Sequence, residues 1–244
     1  MCLLASSCGS AGRSADAGAG TVGASVPAGL WARHQTSAPQ AGAEAGVSIV
    51  AQAVVDRVGV YPAPGAGKPE QTLAGTQPSG GPLVFLVLAQ RPGWLHVLLP
   101  VRPNGSRGWI HASDVRLSQH DYRIVVALGR HTMTVYRGTT VIDKEPIGVG
   151  RKDTPTPGGV YYTKELLRPP NPNGPYGPYA YGLSGYSTVL TSFAGGDGVI
   201  GIHGTNDPSG IGKDVTHGCI RMSNGGITKL AKILPLGVPV QIIA

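Results

Sequence analysis

Charge is scarce in this chain: Asp, Glu, Lys and Arg together make up 14% of its 244 residues. Aromatic residues make up 6%, and there are three cysteines. No run approaches the ~18 apolar residues that a membrane-spanning helix needs. No cluster of five or more basic residues occurs, so the net charge of +7 lacks the footprint of a nucleic-acid binder. Residues 1–47 carry 2 basic and 2 acidic side chains, residues 48–118 carry 6 and 3, and residues 119–244 carry 12 and 8. So thin a spread suits either solubility or mild attraction to an acidic polymer surface. What is plentiful is glycine, 38 residues, and proline, 21. That mixture predicts loop-rich β structure with disordered stretches and excludes a helical bundle. The length allows one large domain or two modest ones, each with its own core.

The first 47 residues are small and nearly uncharged. Such composition buries too little surface to offset ordering entropy, so residues 9–47 are expected to be a flexible tether. "LASSC" at the start resembles the lipobox of a bacterial lipoprotein signal, with Cys8 as the lipidated residue. Ala5 stands where leucine is usual, there is no basic region ahead, and the apolar run is short. If Cys8 is lipidated, Cys2 is removed and Cys219 is the one thiol left. If not, Cys2 and Cys8 can pair with each other, and Cys219 is again alone.

From Ser48 to about residue 118 the chain offers short apolar runs broken by Gly and Pro: "SIVAQAVVDRVGVYPAPG", "PLVFLVLAQRPGWLHVLLP" and "RGWIHASDV". Turns every ten or so residues predict a small antiparallel barrel. The succession "VYPAPG", "GWLHVLLP", "GSRGWIHASDV" resembles bacterial SH3-like domains, with Trp94 and Trp109 as core or groove-lining residues.

The remaining residues, 119–244, read as a second mainly β domain. "YRIVVALGRHTMTVYRGTTVIDKEPIGVG" gives three strands with Val125, Leu128, Met133, Val135 and Val141 as their apolar positions. Pro155 and Pro157 forbid a central strand, and Gly158-Gly159 permit a sharp turn. Arg168 to Ser187 holds five prolines, four glycines and four tyrosines, which reads as a long loop. Tyr176, Tyr179, Tyr181 and Tyr186 join an apolar face to a polar tip, so this loop is expected to act as a lid. "GVIGIHG" predicts a strand ending at His203, "GGITKLAKILPLG" the one clear helix, with Asn224 as its N-cap, and "VPVQIIA" a closing strand.

Chemistry concentrates in "HGTNDPSGIGKDVTHGCIRMSN", His203 to Asn224. It holds two of the seven histidines, one cysteine and four glycines. His203, His217 and Cys219 have the residue types of a zinc site, with His131 the nearest further histidine. Structural zinc takes four ligands in closely spaced pairs, and no second pair lies nearby. The other reading is a nucleophile and its base. Cys219 follows His203 by sixteen residues, and a thiol that is protonated at neutral pH needs an imidazole within reach to take its proton. The imidazole then needs an acceptor to orient it: Asp207, Asp214 or the Gly204 carbonyl. Backbone N–H groups of Gly218 and Cys219 are candidates for the oxyanion.

The pattern "IHGT" followed by "THGCIRMSN" resembles the L,D-transpeptidases of bacterial cell walls, with their YkuD-type catalytic domain. "TPTPGGVYY" and "NGPYGPYAYGLSGYS" resemble further elements of that family. The resemblance implies a β-sandwich-type catalytic domain with one helix near the C-terminus, and no cofactor. It implies Cys219 as nucleophile and His203 as general base, with Gly204 orienting the base and Gly218 at the oxyanion. Thr216, His217, Arg221, Tyr176 and Tyr181 are expected to meet substrate, and Arg221 either braces the cysteine loop or meets a carboxylate. The substrate implied is a peptidoglycan stem tetrapeptide as donor and an amine as acceptor, giving a 3→3 cross-link with loss of terminal D-alanine. Carbapenem-type β-lactams are the implied covalent inhibitors. The expected location is the cell envelope outside the cytoplasmic membrane, with contact to that membrane only through a lipid at Cys8. Hydrolysis in place of aminolysis, an L,D-carboxypeptidase, stays open, as does a non-catalytic wall-binding protein. A papain-like peptidase places its cysteine ahead of a distant histidine, the reverse of the order here.

Overall fold

The computed structural model describes residues 46–192 and 196–244. Cys2, Cys8 and most of the tether expected over 9–47 lie outside the described residues.

Seven strands occupy the first part: β1 (Ser48–Ala53), β2 (Arg57–Val60), β3 (Gln71–Ala74), β4 (Val84–Arg91), β5 (Trp94–Leu98), β6 (Arg107–His111) and β7 (Val115–His120). Five form one sheet in the order β6-β5-β4-β1-β7, and β2 pairs with β3. Alternation along β5 sends Leu95 and Val97 inward, to join Phe85 and Ile110 in a core of their own. Trp94 and His96 take the opposite face, where Trp94 packs on His111 at 4.0 Å and Trp109 stacks on His96 at 4.8 Å. Both tryptophans are half-buried.

Ten strands and one helix follow: β8 (Tyr122–Ala127), β9 (Thr132–Arg137), β10 (Thr140–Pro146), β11 (Val149–Gly150), β12 (Gly159–Leu167), β13 (Ala180–Tyr186), β14 (Val199–His203), β15 (Asp214–Thr216), β16 (Ile220–Arg221), α1 (Asn224–Ile233) and β17 (Pro239–Ile243). Eight strands make one mixed sheet, β10-β9-β8-β17-β12-β13-β14-β16, and β11 pairs with β15. Among the described residues the fold is mainly β with one α-helix near the C-terminus, as the sequence predicts. The three strands expected between Tyr122 and Pro146 are present, but their buried face is partly different. Ile124 and Val126 point into the core and Val141 is 52% exposed, because a strand's period of two turns a one-residue misreading into the opposite face.

The largest departure is β13. The stretch Arg168–Ser187 is a loop only up to Tyr179; Ala180–Tyr186 is an interior strand between β12 and β14. Its glycines mark close approach, not turning. A Cβ on Gly185 would overlap the Tyr161 ring, and one on Gly182 would meet the Glu165 side chain. Strand glycines admit such contacts, at the cost of looking like loop in sequence.

Helix α1 starts at Asn224, but its N-cap is Ser223, whose Oγ accepts from the Gly226 N–H at 2.9 Å. Asn224 has another partner, described below. Ile227 and Leu230, three apart on one helix face, are fully buried in the main core with Leu234 beyond them. The two β units are joined firmly. Tyr162 is fully buried among Val50, Val84, Leu86 and Leu98 of the first unit, and its hydroxyl donates to the Val84 carbonyl at 3.0 Å.

Candidate active site

Strand β14 places the imidazole. Its alternation sends Ile200 and Ile202 into the core and aligns Val199, Gly201 and His203 along the other face. That face lines a cleft of about 670 Å3 which also contains Cys219. Strand β16 runs parallel to β14, with Ile220 beside Ile202 and Arg221 beside His203. The sixteen residues between them, 204–219, loop out, and the chain returns with Cys219 just ahead of the pairing. Arg221 is pinned on its other side by reciprocal backbone bonds with Gly148, each 2.8 Å.

His203 is 3% exposed, and its Nδ1 lies 2.6 Å from the Gly204 carbonyl oxygen. A carbonyl only accepts, so Nδ1 carries the proton and Nε2 presents a lone pair. The orienting partner is therefore Gly204. Asp207 is occupied by Ser209, whose N–H and hydroxyl donate to its Oδ1 at 3.1 and 2.6 Å, and Asp214 pairs with His131 at 2.8 Å. Burial lowers the His203 pKa to about 4; the nearby Arg221 cation pushes the same way, against the Gly204 bond. Burial raises the Cys219 pKa, opposed by a backbone bond from Gly201 and by Arg221. Both groups are thus neutral near pH 7, a thiol and a free-base imidazole lining one cleft, not a preformed ion pair.

This makes a stability prediction. A depressed imidazole pKa means that the unfolded chain binds a proton between pH 6.5 and about 4 that the folded chain does not. Stability from this group is full above pH 6.5 and declines as pH falls through that window, by about 3 kcal/mol in total. Thermal melts at pH 7 and pH 4.5 are expected to show a smaller loss for His203→Gln than for the parent. Equal losses would mean that His203 titrates normally.

The cysteine loop is held by threonines. Thr216, 1% exposed, donates through Oγ1 to the Cys219 carbonyl at 2.6 Å and accepts from the Gly218 N–H at 3.1 Å. Thr154 Oγ1 donates to the Thr216 carbonyl at 3.1 Å, and Thr156 Oγ1 to the Gly218 carbonyl at 2.9 Å. These bonds add to one expectation and correct another. Thr216 is a brace of the loop through its side chain, although it also borders the site. The Gly218 N–H already has an acceptor, so it is not the oxyanion donor. Glycine is needed at 218 for its φ of +113°, which side chains rarely adopt. The TPTP turn is thereby explained as a cradle for the cysteine segment.

A second opening, of about 270 Å3, also borders Cys219 and is lined by Pro175, Tyr176, His203, Thr216, His217, Cys219 and Arg221. Tyr176 lines both openings, its ring edge-on to His203 at 5.0 Å. His217 Nε2 accepts from Arg151 Nη2 at 3.0 Å, and Arg151 Nε lies 2.8 Å from Asp153. The Nε of Arg221 is buried with no hydrogen-bond partner.

Tyr181 does not meet substrate through its side chain. It is 1% exposed, and its hydroxyl donates to the Leu230 and Leu234 carbonyls at 3.2 and 3.0 Å. Its ring faces the core on β13 because the expected loop is a strand. Tyr181→Phe is expected to lower stability by about 0.5–1.5 kcal/mol and to leave kcat/KM unchanged; denaturant melts and steady-state rates check both. Residues that sequence reasoning missed are Asn224, whose Oδ1 accepts from the Thr205 N–H at 2.9 Å and packs against Gly177 and Gly204, and Arg151. Neither carries a local signal, since their partners lie 19 and 66 residues away.

A mainly β fold that sets a free thiol and a carbonyl-oriented imidazole in one cleft defines a site for thiol chemistry. The chain belongs to the YkuD family, the L,D-transpeptidase catalytic domain, whose family model matches residues 121–242. It is 41% identical over 121 residues to the putative L,D-transpeptidase YkuD of Bacillus licheniformis and 40% identical over 121 residues to that of Bacillus subtilis. Each match covers 50% of this chain and 65% of the relative, so the chain spans less than two thirds of their length. A solved L,D-transpeptidase from Mycobacterium smegmatis aligns over 64% of this chain and 80% of its own, with 17% identity and a TM-score of 0.41.

Proposed function

We propose that the protein is a peptidoglycan L,D-transpeptidase acting through a Cys219 thioester. The observation that carries this reading is the meeting of two openings at one thiol, with Tyr176, His203 and Cys219 common to both. Transfer of an acyl group from one chain to another needs two approaches to the same atom. A binding module has no use for either the thiol or the oriented base.

In the first half-reaction His203 Nε2 takes the thiol proton as sulfur attacks the carbonyl between the third and fourth residues of a stem tetrapeptide. The tetrahedral oxyanion is held by the Cys219 N–H, with the Arg221 cation close by. The carbon–nitrogen bond breaks, the imidazolium returns its proton to the departing amine, and D-alanine leaves. In the second half an amine attacks the thioester, gives its proton to His203, and restores the thiol as a 3→3 amide forms. Arg221, with its buried unpartnered Nε, receives a substrate carboxylate in the smaller opening; His217, held by Arg151, lines the same opening. Tyr176 covers His203 and limits water at the thioester, which favours aminolysis over hydrolysis. Carbapenem-type β-lactams are expected to acylate the same thiol. With wall polymer as its substrate the protein is read as acting outside the cytoplasmic membrane, with a lipid at Cys8 as its anchor, and the first β unit is read as SH3-like.

The test is product analysis with a disaccharide-tetrapeptide. Cross-linked dimers with release of D-alanine support transpeptidation. Tripeptide without dimers makes the protein a carboxypeptidase, and no product at all makes it a wall-binding protein.

A further inference from the structure

The base at His203 is aimed by a peptide group, and that peptide group is itself held from behind. The carbonyl that receives the His203 Nδ1 proton, at 2.6 Å, belongs to the peptide unit joining Gly204 to Thr205. The N–H of the same unit is that of Thr205, and it donates to Asn224 Oδ1 at 2.9 Å. A backbone N–H only donates, so it is the oxygen of the Asn224 amide that faces it. A peptide unit is planar and trans, so its C=O and N–H point in opposite directions along one rigid plate. The plate is therefore clamped between two side chains, the imidazole at one edge and the amide at the other.

The clamp offsets a local weakness of the chain. Glycine has no Cβ to restrict its torsions, so the Gly204 carbonyl is a loosely held acceptor on its own. Yet glycine is required there, because a Cβ would overlap Asn224 Oδ1 and crowd Gly177 and the Ile227 side chain. Asn224 thus creates the need for glycine and removes the freedom that glycine brings. Its own position is firm. Ser223 caps α1 and leaves the Asn224 side chain free of that duty, while the Thr228 hydroxyl donates to the Asn224 carbonyl at 2.7 Å. Ile227 and Leu230 anchor the same helix in the core. The amide oxygen also meets the backbone of Gly177, where a Cβ would overlap it too. One side chain therefore touches both the peptide that aims the base and the residue next to Tyr176, whose ring lies against His203. Asn224 lines neither opening, so its route to the chemistry runs through His203.

We infer that Asn224 is a positioning residue for the general base: through the Gly204–Thr205 peptide it holds the His203 imidazole with Nδ1 protonated and Nε2 free to take the thiol proton. The inference rests on the transpeptidase reading above for the role of His203 as base.

Histidine tautomers and steady-state kinetics on the full chain test it together. Long-range proton–nitrogen correlation spectra of histidine-labelled protein tell Nδ1–H from Nε2–H, and His203→Gln identifies the signal. At pH 7, well above the His203 pKa of about 4, the parent is expected to show the Nδ1–H form alone. Asn224→Ala is expected to show both tautomers and to lower kcat for D-alanine release about 10- to 100-fold with KM within about 2-fold, the scale of a small misplacement of a catalytic group. Asn224→Ser, one bond too short for the Thr205 N–H but well suited to the start of a helix, is expected to do the same, and serves should alanine unsettle the fold. Asn224→Asp keeps an acceptor oxygen at the same reach, and is expected to restore the Nδ1–H form and bring kcat within about 3-fold of the parent. A merely structural Asn224 would lower the melting temperature and leave tautomer and kcat in place. The Nδ1–H form alone in both the alanine and serine variants, parental kcat in both, or an aspartate variant as slow as alanine overturns the positioning role. The spectra need no substrate, so they decide that role even if the parent fails to turn over the tetrapeptide, a failure that would overturn the transpeptidase reading by itself.

Discussion

Cys219→Ala is expected to abolish turnover, lowering D-alanine release from a stem tetrapeptide by about 10^5- to 10^6-fold, the scale on which removal of a nucleophile acting as a unit with its base is felt. The residue is partly exposed on the cleft floor, and its carbonyl, not its sulfur, holds the loop through Thr216. Folding should therefore be intact, and the melting temperature near that of the parent. Steady-state D-alanine assays beside thermal melts separate lost chemistry from lost structure. Retention of more than a hundredth of the activity would mean that sulfur is not the attacking atom.

His203→Ala is expected to lower kcat/KM by about 10^2- to 10^4-fold, the usual contribution of a positioned general base. The pH profile carries more information than the size of the loss. The base works only when neutral, and burial holds its pKa down to about 4. Activity of the parent should therefore persist through pH 6 and decline only as pH falls toward 4, well below the range of an ordinary histidine. The thiol pKa is raised, so alkylation of Cys219 by iodoacetamide should accelerate only in the alkaline range. In His203→Ala the acid limb vanishes, and the residual rate follows thiol ionisation alone. Because the pair acts together, Cys219→Ala with His203→Ala should be no slower than Cys219→Ala by itself. An acid limb near pH 6.5 in the parent would place the imidazole in a more open setting than β14 gives it.

Parts of this site are readable without coordinates because they are local. A strand ending at His203 follows from the apolar run before it, and the Gly204 carbonyl as orienting partner needs only adjacency. The helix after Asn224 is visible in the spacing of Ile227, Leu230 and Leu234. What escaped is long-range or runs against composition. Glycines in Ala180–Tyr186 read as loop, yet they are there so that Tyr161 and Glu165 can lie across the strand. That single misreading carried Tyr181 from the core into the substrate list. Asn224 and Ser223 are equally good caps by residue type, and only the Thr205 N–H, 19 residues away, decides which one is free for the helix. Thr154 and Thr156 stood in a segment recognised by its prolines, but their bonds span 62 residues to the cysteine loop.

The central claim is that Cys219, relieved of its proton by His203, forms the covalent acyl-enzyme. Intact-protein mass spectrometry after incubation with a carbapenem, followed by peptide mapping, tests it most directly. The predicted result is a single added inhibitor mass on the peptide that contains Cys219, formed far more slowly in His203→Ala and absent in Cys219→Ala. No adduct on the parent, or the same adduct on Cys219→Ala, would contradict it.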